Sequence, residues 1–266
     1  MTVSTHAQPA AAPASPEGTR RSPLAQLTRV EFKLFLREKV GPVWGVGFPI
    51  LLLVIFGFIP SFKNVLPDSG GLTVLDTYIP ILVVMSLALL SFVSLPLTLV
   101  NYRERGILRR LETTPAGRVR VLGAQLIVNF GMAVVTLAVL LIVARLAYDV
   151  PFPRQFAAWI ITTLFAAAVV LAMGLFVASV GSTARAAAAI GNVLFYPMMF
   201  FAGLWLPIPA MPETLQHIAH AFPLGAAWES FQQAALGHWP PVLALGAMAA
   251  WTVAFGVIAG RFFRWE

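Results

Sequence analysis

Six long apolar stretches leave this chain few ways to fold. They lie at 42–60, 78–100, 121–147, 156–180, 186–206 and 241–260. About 20 apolar residues in helical form cross the ~30 Å hydrocarbon layer of a bilayer. Only a helix or a closed barrel satisfies its own backbone there, and uninterrupted apolar runs of this length predict helices. The rest of the composition agrees. Charged residues make up 11% of the 266, hydrophobic residues 59%, and the mean hydropathy is +0.82. A soluble domain carries roughly 25% charged residues. A soluble enzyme, a disordered chain and a nucleic-acid-binding domain are therefore excluded. The predicted fold is an all-α polytopic membrane protein with six transmembrane helices.

The net charge of +7 is explained by how the cations are distributed. Six precede the first span (Arg20, Arg21, Arg29, Lys33, Arg37, Lys39), and six follow the second (Arg103, Arg105, Arg109, Arg110, Arg118, Arg120). With Arg185, Arg261 and Arg264 they put 15 of the 18 Lys and Arg on one side; Lys63, Arg145 and Arg154 fall on the other. The positive-inside rule then predicts that both termini and the 101–120 connection are cytoplasmic. Trp44, Trp159, Trp205, Trp239 and Trp265 fall near predicted span ends, where amphipathic rings favour the interface. The chain has no cysteine, which removes thiolate chemistry and disulfides.

Three regions are expected. Residues 1–23, rich in Ala, Pro, Ser and Thr, read as a disordered cytoplasmic tail. They have no apolar core of signal-peptide length, so the first span is expected to direct insertion. Residues 24–41 read as an amphipathic interfacial helix: Arg29, Lys33 and Arg37 form a basic stripe. Leu27, Val30 and Leu34 flank it on one side, and Phe32, Phe35 and Leu36 on the other, a pattern suited to headgroup depth. A soluble helix preceding the membrane domain is the other reading. Residues 42–266 form the six-span domain. Pairs of small residues, Gly41 with Gly45 and Gly174 with Ala178, would let helices approach closely.

Two connections carry more than a loop requires. In the first, Ile107, Leu108 and Leu111 share a helical face ringed by Arg103, Glu104, Arg105, Arg109, Arg110 and Glu112, before Pro115 and Gly117 end the pattern. An apolar knob with charges around it suits docking to a cytoplasmic partner; an ordinary positive-inside loop explains the arginines alone. In the second, 207–240, no Lys or Arg occurs, yet Phe222, Trp228, Phe231 and Trp239 do. Such a segment suits one or two short helices, at 211–221 and 225–236, dipping into the outer leaflet beside other helices. Glu229 within it is either a functional acid at membrane depth or a group facing water or capping a helix.

These two segments, in this order on six spans, resemble the permease subunit of the type-2 family of ATP-binding-cassette exporters. The matching residues are Glu104-Arg105-Gly106 with Leu111 and Thr114-Pro115, then Phe200-Phe201-Ala202-Gly203 with Pro207 and Pro209, followed by Pro223 and Leu224. Arg103 stands where the family often has a second acid. The likeness covers about 24–264. It implies a coupling helix at 101–120 (Arg103, Glu104, Arg105, Gly106, Ile107, Leu108, Leu111, Glu112, Thr114, Pro115) seated on a separate ATPase subunit. It also implies a connecting helix at 24–39 and re-entrant helices between spans five and six. Two permease copies, as a homodimer or a paralogue pair, would enclose the substrate path. ATP and Mg would be bound by the partner subunit and none by this chain. In keeping with that division, none of the three lysines follows a phosphate-cradling Gly-x-x-x-x-Gly.

The expected function is export of a hydrophobic or amphipathic compound (drug, natural product or lipid-like) across a bacterial plasma membrane, with polysaccharide as another cargo of related permeases. An ion-coupled secondary transporter is the alternative, but it calls for carboxylates deep in the bundle, and none falls within the six stretches. Gln125, Asn129, Thr136, Thr162, Thr163 and Asn192 are the buried polar candidates there, expected to bond between helices rather than to form an ion site. A membrane enzyme is the third reading. His217 and His220 share a helical face and could ligate a metal, but no third ligand and no His-Glu-x-x-His pattern accompanies them. Arg145 is expected to snorkel or, alternatively, to meet an anionic substrate.

Overall fold

The computed structural model describes residues 23–38, 41–65, 72–107 and 117–262. Within them the chain is helical: α1 (Pro23–Arg37), α2 (Gly41–Phe58), α3 (Val74–Glu104), α4 (Gly117–Tyr148), α5 (Phe156–Val180), α6 (Ala184–Phe201), α7 (Glu213–Ala221), α8 (Pro223–Leu236) and α9 (Val242–Phe262). Six of these, α2 to α6 and α9, are long and apolar enough to cross a membrane. They match the six predicted stretches. The disordered tail expected at 1–23 falls almost wholly outside the described residues, as do Leu108, Leu111, Glu112, Thr114 and Pro115 of the coupling segment.

Local chemistry sets the helix ends. Thr73 and Asp76 form a reciprocal capping box, so α3 begins four residues before the predicted span and runs four residues beyond it. Thr183 accepts from the Ala186 amide and starts α6 only three residues after α5 stops. The fifth stretch was expected to reach 206. Instead α6 ends at Phe201, because the chain turns at Gly203 (φ 88°) and then meets Pro207 and Pro209. At Gly237 (φ 96°) a left-handed cap closes α8.

Helix α3 is the centre of the bundle, buried around most of its circumference, whereas α2, α6 and α9 leave most of their surface outward. Part of the reason is a widened turn at Leu90–Ser94, where the Leu95 amide donates to the Leu90 carbonyl and Pro96 follows with no amide to offer. Neighbouring backbones come in there. An added Cβ on Gly174 of α5 would collide with the Ser91 carbonyl, one on Gly191 of α6 with the Phe92 carbonyl, and one on Gly45 of α2 with the Leu90 side chain. The small pairs seen in the sequence thus do mark close approaches. At Gly45 the approach also admits a hydrogen bond, Ser86 Oγ donating to its carbonyl at 2.9 Å.

Two expectations about polar and aromatic residues need correcting. Thr136, Thr163 and the amide of Asn129 bond to carbonyls four residues back in their own helices, which satisfies them locally rather than joining helices. Asn192 is exposed, and Thr162 Oγ1 has no hydrogen-bond partner among the described residues. Trp159 is not an interface ring. It is 2% exposed and packs against Phe231 of α8, with ring centroids 4.7 Å apart. Trp44, Trp205 and Trp239 are exposed as expected, and Trp265 lies outside the described residues.

Candidate functional site

The end of the bundle that carries α1 is organised around one acid. Helix α1 turns Leu24, Leu27, Thr28, Glu31 and Phe35 toward the bundle, while the Arg29/Lys33/Arg37 stripe is exposed, with Arg29 at the edge of the groove between α1 and α4. Glu31 is 5% exposed. A carboxylate cannot be buried cheaply without donors, and two are supplied. Tyr102 at the end of α3 donates its hydroxyl to Glu31 Oε2 at 2.7 Å, and Gln125 of α4 donates its amide to the same oxygen at 2.6 Å. Burial pushes the Glu31 carboxyl above its ordinary range. The Tyr102 hydrogen bond opposes the shift, and nearby Glu38 adds to it.

The next two residues of α3 grip a different part of the molecule. Arg103 donates to the Gly181 carbonyl, and Glu104 accepts the Ala184 amide at 2.9 Å. Gly181 lies in the tight link between α5 and α6, and Ala184 is the first residue of α6. Glu104 also places its charge at the α6 N-terminus, where unpaired amides favour an anion. Consecutive residues Tyr102, Arg103 and Glu104 therefore tie α1, the end of α5 and the start of α6 to the end of α3, and Glu31 carries the link on to α4. Arg105 is exposed, Gly106 turns the chain with φ 65°, and Ile107 is half-buried. The charged pair Arg103 and Glu104 is thus already engaged within the chain, and Arg105 is left facing out.

A cavity of about 550 Å³ opens between α2, α3 and α6. Trp44, Phe48, Leu52 and Phe56 recur every four residues and give α2 one continuous lining face; Met85 and Leu89 of α3 form the back. Helix α6 adds Asn192, Phe195 and Tyr196, and Leu204 and Trp205 close one end. The wall is apolar and aromatic with a few polar atoms. That volume is in the range that accepts drug-sized molecules.

At the opposite end, α7 and α8 occupy the two segments expected between spans five and six. Helix α8 is mostly buried against α5, α9 and α3. Phe201, Phe222, Trp251 and Phe255 form a chain of ring contacts beside it, and Trp251 Nε1 donates to the Ala221 carbonyl at 2.9 Å. Pro207 and Pro209 shape the approach to α7, and Pro223 opens α8. Trp228 is buried against Ile208 and Met211. Glu229 meets His220 Nδ1 at 2.7 Å, both side chains being partly exposed, so its partner is a histidine rather than a helix end. His217 lies beside Glu213 on the exposed face of α7. Arg145 donates to the Asp149 carbonyl at 3.3 Å, fixing the turn after α4.

Two features of the candidate site escaped the sequence reading. Glu31 was hidden among the cations of its own helix; the signal was an acid on the face opposite the basic stripe. The α2 ring stripe was visible as a four-residue repeat inside an apolar run, where it looks like any lipid-facing helix.

Comparison with known proteins follows the same lines. Residues 23–236 match the family model described as "ABC-2 type transporter". The chain is also 28% identical, over 207 residues, to the protein named "Putative transport permease YvfS" of Bacillus subtilis (strain 168), a match covering 75% of this chain and 81% of that one. Such permease domains hold no ATPase site, in accord with the missing phosphate-binding lysine. With six membrane-spanning helices and a family match over most of its length, this chain belongs to the ABC-2 type transporter family, as a membrane permease subunit.

Proposed function

We propose that the chain exports a hydrophobic or amphipathic compound from the cytoplasm of a bacterium, driven by ATP and Mg bound on a separate ATP-binding-cassette subunit. The observation that carries this is the aromatic cavity between α2, α3 and α6. A ring-lined wall attracts flat or greasy molecules through burial and stacking, and it offers an inorganic ion almost nothing. Because α2 and α6 are also among the least buried spans, a second permease copy, identical or paralogous, completes the path on that side.

In this reading both termini and the 101–120 connection are cytoplasmic, as the cation distribution favours. Helix α1 lies at the inner membrane surface with its basic stripe toward the headgroups. The coupling segment runs from Arg103 to Pro115, with Arg105 and the apolar face of Ile107, Leu108 and Leu111 toward the ATPase. Any displacement of that segment acts on Tyr102, Arg103 and Glu104 together, and so on four helices at once. Helices α7 and α8 sit in the outer leaflet and close the exit with packed rings.

The test is purification from the native cell with the bound ATPase retained, followed by uptake of hydrophobic dyes into inverted vesicles. We expect Tyr196→Ala to lower dye uptake several-fold with the ATPase still attached, and Arg105→Glu to shed or uncouple the ATPase. ATP-independent uptake that follows an ion gradient would overturn the reading.

A further inference from the structure

We propose that the groove between α1 and α4 binds one anionic phospholipid, its phosphate on Arg29 and an acyl chain laid along α4. The groove encloses about 560 Å³ and lies apart from the aromatic cavity. Leu24 and Phe32 of α1 form one wall; Ile127 and Met132 of α4 form the other. Its floor is open at Gly131, where an added Cβ meets no atom within 4 Å. Phe32 and Ile127 are 42% and 47% exposed, so the two walls do not close on each other.

Charge selects the occupant. Among the described residues, Arg29 is the only charged one lining the groove. It has no hydrogen bond or ion pair among the described residues, while Glu31, the nearest acid in the chain, is turned to the opposite side and held by Tyr102 and Gln125. Lys33 and Arg37 continue the same cationic stripe. An apolar slot with a free guanidinium at its edge complements a molecule with a chain and an anionic phosphate, and basic residues at this depth attract anionic headgroups. The inference rests on the placement of α1 at the membrane surface and is independent of the exported compound.

Native mass spectrometry of the purified full chain, titrated with phosphatidylglycerol or phosphatidylcholine of identical acyl chains, tests it. One phosphatidylglycerol is expected to be retained in preference. Arg29→Gln should weaken that retention about fivefold, the factor matching about 1 kcal/mol per basic residue at an anionic surface. Gly131→Leu, which fills the floor, should lower retention of both lipids. Equal retention of the two lipids, or retention unchanged in both variants, overturns the proposal. Photoactivatable forms of the same lipids on the unmodified protein give an answer that needs no variant to fold. Preferential labelling of 23–37 and 121–132 by the glycerol lipid supports the site, and equal labelling by both lipids overturns it. No labelling of α1 by either lipid overturns its membrane-surface placement as well.

Discussion

The two ends of this bundle are held together by different physics. At the α1 end the helices are joined by directional polar bonds: Glu31 to Tyr102 and Gln125, Arg103 to Gly181, Glu104 to Ala184. At the α7–α8 end they are joined by tight contact among rings, alanines and glycines, and the His220–Glu229 pair sits at its margin. Hydrogen bonds fix orientation and can be exchanged for others. Close packing seals against solvent but tolerates almost no change of volume. In the proposed function, the first would suit an end that responds to the ATPase and the second an end that keeps water out.

The contrast predicts a graded set of effects. The largest belongs to Gly225, where an added side chain would strike the Ala219 carbonyl and lie close to that of Phe201. Backbone carbonyls cannot swing aside, so Gly225→Val should cost about 1–3 kcal/mol or more through overpacking. It should appear as a sharp drop in thermal stability in detergent, or in the yield of folded protein. Wild-type stability in that variant would show that the far end is looser than the contacts imply.

At the α1 end, Glu31→Ala leaves the Tyr102 hydroxyl and the Gln125 amide without their partner, at about 1–3 kcal/mol. Limited proteolysis across α1 should detect it. Glu31→Gln should keep α1 attached, since one carbonyl oxygen can accept both bonds. The pH response separates these two variants further. The native carboxyl is raised above its ordinary value of 4.5. The native state therefore holds its proton more tightly than the unfolded chain, and the associated stability is present in acid and lost as pH rises through the raised value. Wild-type attachment of α1 should weaken across that window while Glu31→Gln stays level. Parallel pH profiles for the two would sink this account of the anchor.

The smallest effect is expected at the margin of the far end. The His220–Glu229 pair is partly exposed, so Glu229→Gln should change stability by about 1 kcal/mol or less. A loss as large as that of Glu31→Ala would mean that this end, too, depends on polar bonds.

The periodic and compositional features were open to reading in advance. Long apolar runs define spans whatever their neighbours, and Gly45 and Gly174 stand where helices meet, so the helices and some of the close contacts follow from local chemistry. The basic stripe of α1 was equally plain, because Arg29, Lys33 and Arg37 stay exposed. Glu31 was not, since its burial depends on Tyr102 and Gln125, respectively 71 and 94 residues away. The same applies to Glu104. Its charge suggested an outward contact, and only the fold brings the Ala184 amide to it. Trp159 misled for the opposite reason. Its position near a span end was read correctly, but α8 folds back over it and converts an interfacial ring into a core one.

The glycine contacts around the widened turn of α3 have a mechanical corollary. Where Gly174 presses on Ser91, helix α5 has about 9 Å of rod toward Val180 and about 27 Å toward Phe156, at 1.5 Å per residue. Helix α2 is divided just as unevenly about Gly45. A rod pivoting off-centre at such a contact would turn a small tilt of its short arm into roughly three times the displacement at its far tip. Because α8 packs on the long arm of α5 through Phe231 and Trp159, any such tilt would have to carry α8 with it.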